Sequence, residues 1–253
     1  MIRFSVDGRV GFATIDRTDR RNALDAQHCE DLRDTLRANA DLLAVVLSGA
    51  GSAFCAGADL GTRFADGGGR GSDTFRPAFE RVLDAIVDYP SPVIAAIHGP
   101  AIGAGMQLAV ACDIRVAGPD ARLAIPGGRL GILLSATNIA RLAALVGQGA
   151  ARDFLLAGRS VDAAEGVAVG LVERLADDPV AAAAALAAEI AALAPLTVRG
   201  HKRALNLLAA TAALGADARA EIDALEAAAF ASHDLEEGMA AFAEKRPPHF
   251  EGR

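Results

Sequence analysis

Two stretches of this 253-residue chain carry small residues in a pattern suited to holding a developing negative charge. The first, SGAGSAFCAGADL (48–60), follows the apolar run LLAVVL; the second, HGPAIGAGMQL (98–108), follows PVIAAI. In each, glycine and alanine lead from a predicted strand toward a predicted helix start. Small residues let a ligand approach the main chain, and a helix start presents N–H groups with no internal acceptor. Two such turns side by side would aim two donors at one oxygen, which is an oxyanion hole. Either turn alone reads equally well as a tight strand-to-helix connection. One amide side chain stands in the second stretch: Gln107, in a segment that otherwise reads Met, Leu, Ala, Val, Ala, Cys. Its amide either contacts a ligand or satisfies backbone near the helix start, because burial without a partner is costly.

Other chemistries find less support. The glycine-rich stretches lack the Gly-Lys-Ser/Thr of a phosphate-cradling loop, and no G-x-S-x-G elbow exists for a hydrolase triad. Cys55 sits beside the first turn but reads as a small apolar filler, and Cys112 as core. His98 precedes the second turn and is expected to fix it. Asp113 is expected to fix backbone or pair with an arginine, and Arg63 and Arg70 need no ligand to explain them. His28, His98, His201, His233 and His249 are too scattered to form a metal site, so no metal is expected.

The elements that must position the two turns follow from periodicity. Residues 2–6 and 10–15 alternate as strands, with Asp7-Gly8 as a hairpin turn. Residues 22–39 read as a helix with Leu24, His28, Leu32 and Leu36 near one face. A strand at 42–49, a helix at 73–89 and a strand at 91–99 follow, and a further helix starts near Gly103. DIRVAG and ARLAI read as short strands. Alternating strands and helices imply an α/β core. After about residue 135 the character becomes helical, with short helices over 136–147, 149–158 and 161–170 and a strand at LVERL (171–175). From 179 onward nearly everything reads as helix. ADGGGRGSD (65–73) reads as flexible.

Composition sets outer bounds. Hydrophobic residues are 52% of the chain, enough for a large core. Aromatics are 4% and Trp is absent, so that core must be mostly aliphatic. Three cysteines without paired spacing fit a reducing compartment. The start lacks the apolar run of a signal peptide, and Pro and Gly interrupt the longest uncharged stretch, so no membrane span is expected. The expected location is cytoplasmic. A net charge of −7 disfavours nucleic acid as a partner.

RRNALDAQ, AFCAGADL, GPAIGAGMQLAVACDIRVA and FAEKRPPHF together resemble the enoyl-CoA hydratase/isomerase family, the crotonase superfamily. The likeness runs from about residue 2 to the end. It implies a ββα spiral core over 1–195 and a helical C-terminal trimerisation region over 196–253. It further implies a CoA-thioester ligand, no separate cofactor, and trimers or dimers of trimers. Carried over by position, the oxyanion donors are the backbone N–H groups of Ala58 and Ala104. Ala56, Asp59 and Leu60 match the stretch that meets CoA, and Asn22, Ala23 and Leu24 the other wall of that cleft. Phe242 and Lys245 match C-terminal residues that reach CoA, in some members from a neighbouring subunit.

Hydratases of the family use two glutamates. Their places here are taken by Gln107 and, after Pro126, by Gly127. Some isomerases place an acid further on, around Ser135, which is no acid either. Gln exchanges no proton with water near neutral pH, and each lost acid or base costs ~10²–10⁴ in rate. Three readings follow: a weak or non-hydratase binder of fatty acyl- or enoyl-CoA, a functional hydratase, or another thioester reaction such as hydrolysis, with a water held by Gln107 or an acid from elsewhere. Glycine at 127 also suggests an enlarged acyl pocket for a long chain. The substitutions Gln107→Glu and Gly127→Glu together are expected to create hydratase activity.

Overall fold

A computed structural model describes residues 1–60, 74–211, 216–251 and 253. The stretch 65–73, with Arg63 and Arg70, lies outside them. A six-stranded sheet forms the centre, in the order β1 (Ile2–Asp7), β2 (Val10–Ile15), β3 (Ala44–Gly49), β4 (Val93–Ile97), β6 (Ile114–Ala117) and β9 (Arg174–Leu175). Only β1 and β2 pair antiparallel; the rest are parallel. The hairpin loop is Gly8-Arg9, one residue later than the sequence suggests, because Asp7 still pairs with Val10. A second sheet orders β5 (Pro100–Ile102), β7 (Arg122–Ala124) and β8 (Ser160–Asp162).

Both faces of the large sheet are covered, as parallel strands require. Ala44, Val46, Ile94, Ala96 and Val116 meet Ala183, Leu186 and Ala187 of α6 (Pro179–Ala191). The alternate residues Val45, Leu47, Val93, Ala95 and Ile97 join the main core. That core includes Leu32 and Leu36 of α1 (Ala26–Ala38) and Val82, Leu83 and Ile86 of α2 (Phe75–Val87). The alanine-rich α6 has a clear start: Asp178 accepts from the Val180 and Ala181 N–H groups, and Pro179 fills the first turn.

Helix α1 begins four residues later than periodicity predicts. Asp25 caps it by accepting from the His28 N–H, while Asn22 adopts a left-handed φ of 60° that no helix continues. The helix α3 (Ala104–Ala111) starts at Gly103, as expected. The two helices expected between 136 and 158 are both present: α4 (Ala136–Leu156) is two helical segments that meet at a kink at Gly147, with φ 76° and ψ 162°. A short helix, α5 (Ala163–Ala168), follows a capping box of Asp162 and Glu165. Only Arg174–Leu175 of LVERL pairs as a strand. The end of the chain carries α7 (Pro195–Thr211), α8 (Ala216–Phe230) and α9 (His233–Glu244). Among the described residues no single helix is long and apolar enough to cross a membrane.

Buried Arg115 on β6 ties α3 to the sheet. It donates to the carbonyls of Ala109, Cys112 and Leu171 and pairs with Glu173. Asp113 holds the Val93 N–H at 2.7 Å and pairs with Lys202 of α7 at 2.7 Å, so its cation is a lysine.

Candidate active site

The two small-residue turns are joined by main-chain hydrogen bonds. Phe54 N–H donates to His98 O, Cys55 N–H to Pro100 O and Ile102 N–H back to Cys55 O, all at 2.8–3.0 Å. On its other side the first turn pairs with the segment before α1. Leu24 N–H donates to Gly57 O at 2.8 Å and Asp59 N–H to Leu24 O at 2.7 Å. The approach leaves no room for side chains. A Cβ on Gly57 would lie 2.9 Å from Ile102 O, and one on Gly105 would lie 2.1 Å from Cys55 O. Gly57 also holds φ at +114°, which side chains rarely adopt.

This arrangement brings Ala58 beside the start of α3. The Gly57 Cβ position is 3.8 Å from the Ala104 nitrogen. Neither the Ala58 nor the Ala104 N–H meets an acceptor among the described residues. Both residues line one cavity of about 390 Å³. Ala104 is the first residue of α3, so the helix dipole adds to its donor. Two such donors suit a thioester carbonyl becoming an enolate.

The residues expected at the site separate into two groups. Ala23, Ala56, Asp59, Leu60, Gln107, Gly127 and Phe242 line the cavity with Ala58 and Ala104. Asn22, Leu24 and Lys245 are not in its wall. Asn22 is fully buried and clamps the turn, donating to Ala50 O and Ala53 O and accepting from Arg17 N–H. Leu24 is core. Lys245 ends α9 in a left-handed conformation, φ 56°. Asp59 meets Arg17 at 2.6 Å, so its carboxylate is engaged by the protein itself. Phe242 reaches the cavity of its own chain while 60% exposed.

Gln107 donates through Nε2 to Gly103 O at 3.4 Å, a bond to its own helix start. Gly127 opens a 3-10 turn whose carbonyl accepts from the Leu130 and Ile132 N–H groups. A Cβ at 127 would sit 2.5 Å from Ile132 O. The loop has closed around the glycine, so no space is left where a glutamate side chain would start. That corrects the expectation that glycine here opens the pocket.

The other groups weighed from the sequence fall away from chemistry. Burial pushes the Cys55 and Cys112 thiols up to about 12, so neither is a nucleophile near neutral pH. His98 fixes its turn through its backbone carbonyl, and its ring nitrogens have no partner among the described residues. No group of three or more potential metal ligands occurs among the described residues.

Among the cavity residues that sequence reasoning missed are Arg76, Glu80, Glu226 and Phe230. Arg76 of α2 pairs with Glu226 of α8 and stacks over Phe230 at 5.0 Å, closing one side. Glu80 of α2 reaches the start of α4, where Asn138 Nδ2 donates to it at 2.8 Å and Ser135 is its second hydrogen-bond partner. Burial raises the Glu80 carboxyl above its ordinary range. The only sequence signal was a carboxylate among apolar residues in FRPAFERVLDAIV, which also reads as a solvated helix position.

Parallel strands, two interlocked turns and two main-chain donors that face one cavity make up the site. The chain belongs to the enoyl-CoA hydratase/isomerase family, whose model matches residues 6–253. It is 40% identical over 244 residues to a probable enoyl-CoA hydratase of Mycobacterium tuberculosis, covering 94% of each chain. It superimposes on an enoyl-CoA hydratase/isomerase from Pseudoalteromonas atlantica T6c with a TM-score of 0.85, at 33% identity over 99% of each chain. A methylmalonyl-CoA decarboxylase shares the fold with a TM-score of 0.90 at 21% identity, over 100% of this chain and 98% of the other.

Proposed function

We propose that the protein binds fatty acyl- or enoyl-CoA thioesters, with the Ala58 and Ala104 N–H groups on the thioester oxygen, and hydrates them weakly or not at all. One observation carries this: two donors without acceptors among the described residues open onto a cavity whose hydratase positions hold Gln107, bonded to its own helix, and Gly127, closed in by Ile132 O. The cavity wall is mostly apolar, which suits an acyl chain, with Ala23, Ala56, Asp59 and Leu60 toward the CoA. No bound cofactor enters this reading. The protein acts in lipid metabolism in the cytoplasm, as a homotrimer or a dimer of trimers.

The test is to follow loss of the conjugated double bond in enoyl-CoAs from short to long chain, with binding measured by calorimetry. Binding with hydration at least ~10² below that of a two-glutamate hydratase is expected. Hydration at ordinary rates would restore the plain hydratase reading, and absence of binding would remove the thioester reading altogether. A second reading, a different proton-transfer reaction on the thioester, is favoured by Glu80 on the same cavity wall.

A further inference from the structure

Among the described residues three carboxylates stand on the cavity wall, and two of them are neutralised by arginine. Asp59 pairs with Arg17 and Glu226 with Arg76. Glu80 has neutral partners: its Oε1 accepts from Asn138 Nδ2, and Ser135 provides a second hydrogen bond. Among the described residues no lysine or arginine lies within ion-pair distance of it.

The partners are themselves fixed. Ser135 caps α4, its Oγ accepting from the Asn138 N–H at 3.3 Å. Asn138 is 4% exposed, and its Oδ1 accepts from Arg141 Nη1 at 2.9 Å. The carboxyl is therefore held in one place. The charges that act on it from a distance are Arg76 and Asp84 on its own helix, Arg141 from α4 and Glu226 from α8. Arg141 is shared with Asp84 at 3.5 Å and Arg76 with Glu226, so each cation is opposed by an acid. Burial remains the leading influence and favours the protonated form.

We propose that Glu80 is the proton-transferring group of this cavity, removing and returning a proton at the thioester α-carbon rather than activating water. The proposal rests on the thioester reading above. The Cα–H bond breaks and its electron pair moves into the carbonyl, giving an enolate whose oxygen is held by the Ala58 and Ala104 N–H groups. The proton passes to Glu80, exchanges there with solvent, and is returned to carbon. No oxidant or co-reactant is required. Return to the same carbon is exchange, and return two carbons further along an unsaturated chain moves a double bond. The combination needed is an oxyanion hole and a carboxyl free to change protonation state on one cavity, and Glu80 is the wall carboxylate that meets the second condition.

The experiment places the full chain with hexanoyl-CoA in D2O and follows loss of the α-carbon hydrogens by NMR, with binding measured by calorimetry. Wild type should exchange, and Glu80→Gln should slow exchange by ~10² or more with hexanoyl-CoA still bound. The wild-type rate should rise with pH as Glu80 ionises. Ser135→Ala removes a hydrogen bond to the ionised form, so its profile should move to higher pH, a shift that a purely structural role would not give. Binding without exchange, or exchange by Glu80→Gln at the wild-type rate, overturns the proposal and leaves the thioester reading standing. Absence of binding by wild type overturns both. Should Glu80→Gln fail to fold by circular dichroism, the wild-type and Ser135→Ala profiles decide, and an unmoved profile counts against it.

Discussion

At the scale of single residues, positions 107 and 127 behave differently although both lack a glutamate. Gln107 points an amide at its own helix start and shares the wall of the cavity, so a carboxylate would fit its place. Position 127 has no such freedom, because its Cβ would meet a backbone oxygen at 2.5 Å. The double change Gln107→Glu with Gly127→Glu is therefore expected to yield no hydratase, contrary to what residue types alone suggest. Gly127→Ala should already cost about 1–3 kcal/mol of stability through overpacking, read from urea unfolding. An unchanged midpoint would show that the 127–132 loop yields easily, and hydration by the double mutant would then be regained. Type and spacing were enough to find the two small-residue turns and Gln107, which the fold brings to one cavity. Glu80 was invisible to them, because its partner Asn138 is 58 residues away and nothing local distinguishes a clamped carboxylate from a solvated one.

At the scale of elements, the site depends on short pieces that periodicity resolves poorly. Strands β5, β7 and β8 are three residues each, and β5 lies inside the second turn, where glycine and proline mask a strand pattern. Their evidence is their partners in space, which one sequence does not display. The long α1, α2, α4 and α6 were legible because an apolar stripe recurs over several turns. A second dependence is tertiary: Lys202 of α7 enters the core, where its ammonium donates to Ile86 O, Ser91 O and Asp113. Asp113 in turn holds β4 through the Val93 N–H. Lys202→Met leaves a largely buried carboxylate and two carbonyls without their donor. It should cost about 2–4 kcal/mol, somewhat under a fully enclosed pair because a quarter of the Asp113 side chain is exposed. A melting temperature within a degree or so of wild type would mean that α7 is held chiefly by other contacts.

At the scale of the whole molecule, the C-terminal helices carry apolar surface that one chain leaves open. Leu193, Leu196 and Leu205 are 57%, 88% and 66% exposed, and they sit on or just before α7, the helix that Lys202 anchors to the core. Scattered exposed leucines need no explanation, but several around one anchored helix leave apolar area that association would cover. Each buried leucine side chain is worth about 1.5–3 kcal/mol, so a symmetric interface repeats that gain in every subunit. Light scattering behind size exclusion should give three or six times the 25.8 kDa of the chain. Leu196→Glu with Leu205→Glu should place charges on two sides of that helix and release monomers if either side is covered by a neighbour. The cavity is walled within one chain by Arg76, Glu226, Phe230 and Phe242, so those monomers should still bind acyl-CoA. Loss of binding on dissociation would instead show that a neighbouring subunit completes the site. A wild-type mass of one chain would mean that α7 keeps its leucines in water, and the assembly reading would fail with it.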